Sequence, residues 1–194
     1  MPNRALQEQL QARGLEVLGV CEKLSHRSEL MERSPMLRDF TPAEADLLGA
    51  SMLLVRAQPG QVLIAEGEAS DWLMMLLAGS VDVEKRKVGA DFEETESGPL
   101  TRLAVVKEGA VIGEMSMLDG EPRYASCRAL SQVEAAVLSR SSVSALIVSH
   151  PAVGAKLLVK LTQLLAQRLR NTSNKLVKEI QKRGAVSGPG PETT

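Results

Sequence analysis

Gly109-Ala-Val-Ile-Gly113-Glu114-Met115-Ser116-Met-Leu-Asp119-Gly120-Glu-Pro122-Arg123-Tyr124-Ala-Ser126 is the stretch on which the reading of this chain turns. An apolar run ends in Gly113-Glu114, and Met115 to Leu118 follow with apolar side chains or a small hydroxyl. Asp119-Gly120 signals a turn, and Arg123 precedes a strand-like segment. A glycine lets backbone come close to a ligand. A short helical turn after it points free N–H groups at an anion. A guanidinium nine residues past Glu114 can fork onto two phosphate oxygens. A carboxylate is wrong for phosphate but accepts hydrogen bonds from a sugar hydroxyl. One carboxylate and one arginine thus suit a nucleotide with one exposed phosphate charge. On residue types alone a second reading stands beside it: a strand end, a turn and a surface ion pair between Glu114 and Arg123.

Outward from this stretch, residues 53 to 139 show short strand patterns separated by Gly, Pro or charged turns. The candidates are 53–57, 61–65, 72–78, 80–86, 101–107, 124–130 and 133–138. Such density predicts an antiparallel sandwich or barrel. Trp72 to Leu77 is continuously apolar and is expected to be buried on both faces. Val81 and Val83 alternate with Asp82 and Glu84, which predicts a half-exposed strand. The polar insert from Lys87 to Pro99 reads as a hairpin tip.

Helices flank this region. Thr41-Pro42-Ala-Glu44 is a helix start with a cap, a proline at the first helical position and a capping box. Leu6, Leu10, Val17, Val20, Leu24 and Met31 make residues 3–33 helix-like, with Gly14 breaking the segment into two helices. This arm either packs on the following domain or contacts a partner. A short helix is expected over 141–149. Pro151 then starts a long one reaching Arg183 and ended by Gly184. Val153, Leu157, Leu158, Leu161, Leu164, Leu165, Leu169, Leu176 and Ile180 form its broad apolar stripe. It carries eight Lys/Arg against the single acid Glu179. That charge suits either an acidic partner or a solvated face whose cations favour the helix C-terminus. The expected division is a 1–35 helical arm, a 36–150 β domain, a 151–183 long helix and a disordered 184–194 tail.

Composition narrows the function classes. A net charge of −1 gives no general drive toward nucleic acid or anionic membrane. Cys21 and Cys127 are far apart, and His26 and His150 stand alone, so neither a zinc site nor a Cys-based redox motif follows. No paired-carboxylate or Ser/His constellation has the spacing an enzyme needs. No stretch is long and apolar enough to span a bilayer, and the N-terminus lacks a signal peptide's apolar core. The expectation is a cytoplasmic binding module with no membrane contact.

The order Gly113-Glu114, short apolar turn, Pro122-Arg123, small-residue strand resembles the phosphate-binding cassette of cyclic nucleotide-binding domains. Pro59-Gly60 to Glu66-Gly67-Glu68 is similar to that family's strand and glycine turn, and Asp71 to Val83 to its next strand pair. The resemblance runs from about Met36 to about Lys182. It implies an α+β fold: an eight-stranded antiparallel β-roll, jelly-roll-like, with N-terminal helices and a long C-terminal helix. It assigns the ribose 2′-hydroxyl to Glu114, the equatorial phosphate oxygen to Arg123 and the remaining oxygen to N–H groups near Met115 and Ser116, with Gly113 opening the cassette. Tyr124 departs from the pattern, which has a small residue there. Its ring either crowds or stacks on a purine, or only its backbone takes part.

Arg168-Leu-Arg-Asn-Thr172-Ser173-Asn-Lys-Leu resembles the long helix of catabolite-activator-type sensors, whose Thr-Ser pair meets adenine. This implies Thr172 and Ser173 as purine contacts and a homodimer built by pairing the helices. Their other reading is two ordinary polar positions on a helix face. Such transcription factors carry a helix-turn-helix domain next, whereas only Gly184 to Thr194 follows here. The expectation is a stand-alone sensor without specific DNA binding, signalling through its dimer or a protein effector. The implied ligand is cAMP ahead of cGMP. Cyclic di-GMP is the alternative and needs a second cation, from Arg128 or the basic helix. A ligand-free interaction scaffold is the remaining one.

Overall fold

The computed structural model describes residues 3–86 and 100–186. The insert read at 87–99 and most of the tail read at 184–194 lie outside the described residues. Two antiparallel sheets face one another. The first has the order β1 (Glu16–Val20), β2 (Leu53–Ala57), β9 (Val133–Ser139), β4 (Trp72–Ala78) and β7 (Val111–Ile112). The second has the order β3 (Val62–Ile64), β8 (Ser126–Ala129), β5 (Ser80–Arg86) and β6 (Leu100–Lys107). All seven strands expected from the pattern are present. The roll carries two more, β1 and the two-residue β7.

Strand β4 explains why residues 72–77 are apolar throughout. Trp72, Met74 and Leu76 point between the sheets, where they meet Leu63, Ile64, Val81, Cys127 and Val137. Leu73, Met75 and Leu77 point the other way, into a helical layer. That layer holds α2 (Ser28–Arg33), α3 (Pro42–Ala50), α5 (Arg140–Ser149) and the first half of α6 (Pro151–Val186). Each fully buried Leu or Met in either cluster contributes about 1.5–3 kcal/mol relative to exposure.

Thr41 and Glu44 form the expected capping box, with the Thr41 N–H donating to Glu44 Oε2 at 2.8 Å. The same carboxylate takes Lys156 Nζ at 2.6 Å, and Lys160 one turn on pairs with Asp39. These contacts staple the base of α6 to α3 and to the turn before it. Gly154 lets α6 pack tightly on α5, since a Cβ there would lie 2.6 Å from Ile147 Cγ1. The helix then runs on past the roll to Val186.

Three expectations need correction. The second half of the N-terminal segment is not one helix. After α1 (Asn3–Ala12) the chain turns at Gly14, forms β1, passes a 3-10 turn at Leu24–His26 and enters α2. The β-branched Val17 and Val20 satisfy their backbone on β2, and tertiary pairing overrides a weak helical pattern. Asp82 is buried rather than exposed, because Arg102 of β6 covers it with a bidentate contact. Gly184 does not end α6, which continues to Val186; a lone glycine costs a helix only about 1 kcal/mol.

Candidate functional site

Strand β7 ends at Ile112, and Gly113 turns the chain with φ +76° into the helix α4 (Glu114–Asp119). Only glycine suits this point twice over. The conformation is left-handed, and a Cβ would lie 2.5 Å from Arg123 Nη1. The first turn of α4 leaves the N–H groups of its opening residues without intrahelical acceptors. The far end of α4 is held by Arg140, which donates to the Met117 carbonyl at 2.7 Å and the Ser116 carbonyl at 3.1 Å.

This turn forms one wall of a cavity of about 410 Å³. Gly113, Glu114, Met115 and Ser116 line it, together with Arg123 and Tyr124. Ile64, Val83, Leu103 and Val106 supply an apolar wall from the four-stranded sheet. Helix α6 closes one side with Arg168, Asn171, Thr172 and Lys175. Seven of the eight residues singled out in the sequence therefore share one cavity. Ser173 does not line it and stands exposed on α6. Thr172 takes the inward position because residues 168, 172 and 175 share a helix face.

Arg123 is buried, with only 3% exposure. Nε donates to Ser70 Oγ at 2.6 Å, Nη1 to the Gly113 carbonyl at 2.6 Å and Nη2 to the Trp72 carbonyl at 2.5 Å. Its guanidinium lies 4.3 Å from the Trp72 ring centroid. All three acceptors are neutral, and among the described residues no carboxylate pairs with it. Burial, and then the nearby Arg13 charge, lower its pKa to about 10, so it remains a cation at neutral pH. A buried guanidinium without a counter-ion is a strong attractor for an anion.

Glu114 is also buried, and its carboxylate is engaged. Arg168 of α6 donates one Nη to Glu114 Oε1 and the other to the Val111 carbonyl. The sequence reading missed this arginine as a site residue and placed it among the basic residues of the helix face. The available signal was its spacing: Arg168 lies four residues before Thr172. Arg128, expected as a second cation, is directed elsewhere, to the Gly60 carbonyl at 2.8 Å. The reason is its place on β8, where it faces the turn before β3 rather than the cavity. Lys175 supplies a cation on the cavity wall instead.

Tyr124 sits at the cavity edge, more than half exposed, beneath Lys85 Nζ at 4.3 Å from the ring. Lys85 also donates to the Tyr124 carbonyl at 3.0 Å and to Glu66 at 2.9 Å. The ring thus stands at the rim. Cys127 lies in the wall with its thiol pKa raised to about 12 by burial, so it stays protonated and apolar in character. Both cysteines are free. Among the described residues, no His, Cys, Asp and Glu cluster is built to hold a metal ion, and no helix is long and apolar enough to cross a membrane.

Comparison with known proteins agrees with this geometry. Residues 54–150 match the model of the cyclic nucleotide-binding domain. A cyclic nucleotide-binding domain from Methylobacillus flagellatus superposes with a TM-score of 0.72, at 32% identity over 92% of each chain. The cyclic AMP receptor protein of Thermus thermophilus is 31% identical over 75% of this chain and 62% of its own length. A CRP-like cAMP-activated global transcriptional regulator of Mycobacterium tuberculosis is 26% identical over 76% of this chain. The chain spans 61% of that regulator. The cassette order, the roll and the matched residues together place the chain in the cyclic nucleotide-binding domain family.

Proposed function

We propose that the protein senses cAMP, bound in the cavity between the roll and α6. The observation that carries this reading is Arg123, a buried cation on the cavity wall held, among the described residues, by neutral oxygens alone. A cyclic phosphate gives it the anion it lacks, helped by the N–H groups of Met115 and Ser116. The ribose 2′-hydroxyl goes to Glu114. The purine lies along the apolar wall, with Thr172 and Asn171 of α6 facing its edge.

Signalling follows from the competition at Glu114. Arg168 ties the far half of α6 to this carboxylate. A ribose hydroxyl on the same carboxylate redistributes that bond, so ligand and helix position are coupled. Such coupling requires different affinities for the two helix positions. The exposed Leu169, Leu176, Val177 and Ile180 beyond the roll give α6 an apolar face for a second copy or a protein effector. Cyclic di-GMP is the second reading, supported by Lys175 as a cation for its other phosphate.

The test is thermal shift of the full chain against cAMP, cGMP, cyclic di-GMP and AMP, with Arg123→Ala in parallel. Ligand at a hundred times its Kd adds about 2.7 kcal/mol, a shift of several degrees. A shift with cAMP that vanishes in the variant supports the reading. A larger response to cGMP or cyclic di-GMP replaces cAMP as the ligand. No response to any of the four leaves the interaction-scaffold reading in its place.

A further inference from the structure

Arg13 stands immediately after α1, far in sequence from the cassette. Its guanidinium carbon lies 5.5 Å from the centroid of the Trp72 ring, the ring on which Arg123 rests. The side chain is only 15% exposed and pairs with Glu68. Glu68 in turn touches the cassette, since its carbonyl accepts the Arg123 N–H at 2.9 Å. The neighbouring Gly67 N–H donates to the Arg123 carbonyl at 2.8 Å.

Arg13 is held firmly in this place. Leu6, Leu10 and Leu15 are buried in the core cluster that contains Trp72. Gln61 Nε2 donates to the Gly14 carbonyl at 3.0 Å. Two cations therefore share one aromatic ring, and among the described residues only Arg13 of the two has a carboxylate partner.

We propose that Arg13 is a positioning residue for the phosphate site: its charge, moderated by Glu68, raises the affinity of Arg123 for an anion. The proposal rests on the cavity being a cyclic nucleotide site. The physical basis is simple. A like charge close to Arg123 disfavours that guanidinium without an anion, and an anion arriving on Arg123 is attracted by both. The N-terminal α1–β1 segment thus belongs to the sensor and is more than packing.

The electrostatic role and a merely structural one predict different signs. Arg13→Gln removes a positive charge and weakens anion binding. Glu68→Gln removes the negative charge that moderates it and strengthens anion binding. A structural ion pair broken from either side loosens the same segment, so both variants then weaken binding alike.

The experiment is calorimetric titration of the full chain with cAMP and cGMP, at low and at 0.5 M salt, for the wild type, R13Q, R13K and E68Q. R13Q is expected to bind about fivefold more weakly, the scale of one charge near 10 Å at an effective dielectric of about 20 with partial screening. E68Q binds more tightly than wild type, R13K stays within about twofold, and the differences shrink at high salt. Unchanged affinity in R13Q, or weakening by R13Q and E68Q together, overturns the proposal. If R13Q does not fold, an E68Q that fails to tighten overturns it alone. Wild-type protein that binds neither nucleotide removes the site reading itself and this proposal with it.

Discussion

Arg123 donates to the Trp72 carbonyl at 2.5 Å while its guanidinium lies over the Trp72 ring at 4.3 Å. One residue thus holds the cassette arginine by backbone and by side chain. Trp72 is the only tryptophan in the chain. A phosphate that draws Arg123 toward the cavity changes the field on that indole, worth about 0.5–2 kcal/mol as a cation–π contact. Tryptophan emission is therefore expected to change in intensity or position on adding cAMP, with a midpoint matching calorimetry. Arg123→Ala alters the starting emission and abolishes the response. Emission that stays constant while calorimetry reports binding would show that Arg123 does not move on Trp72.

Arg168 and Glu114 give a stability prediction. Glu114 is 2% exposed at the side chain, and Arg168 is 43% exposed. Arg168→Ala leaves a buried carboxylate without its cation. The cost is about 1–3 kcal/mol, below that of a fully buried pair because Arg168 is partly solvated. Glu114→Gln combined with Arg168→Ala is expected to be more stable than Arg168→Ala alone, since the buried carboxylate that had lost its cation is then neutral. Urea unfolding of the four proteins measures the cycle. A double variant as unstable as the sum of its parts would count against the pairing.

Acid should loosen the base of α6. Lys156, and then the Thr41 backbone, hold the Glu44 carboxyl below its ordinary value of 4.5. Glu134, between Arg27 and Arg56, is shifted the same way. A carboxyl whose folded pKa is depressed contributes stability that is fully present above the unfolded value. That stability is lost as pH falls through the folded one. Tm is expected to be level near neutral pH and to drop below about pH 4.5. Glu44→Gln should lower Tm at pH 7 and flatten the acid decline. Thermal scans from pH 3 to 7 check both, and a wild-type curve parallel to that of the variant would rule out this carboxyl as a source.

Local signals in the chain carried much of the architecture. Glycine turns bounded the strands because left-handed backbone is costly for other residues. The Thr41–Glu44 capping box is readable because its partners are three residues apart. The uninterrupted run from Trp72 to Leu77 declared burial on both faces. The two strands the pattern did not give, β1 and β7, are those whose pairing depends on distant chain. β7 has only two residues, too few for a period to appear.

The order of Gly113, Glu114 and Arg123 along the chain was enough to single out three residues that line one cavity. The spacing of its leucines likewise announced the long amphipathic helix that follows the roll. What those groups touch is a matter of packing. Arg168 reaches Glu114 across 54 residues, Arg13 meets the Trp72 ring, and Arg102 hides Asp82. A guanidinium on a flexible stem bonds whatever acceptor the fold brings within reach, and periodicity along the chain cannot encode that acceptor's identity. Backbone turns and caps are settled within a few residues, whereas ion pairs are settled by packing.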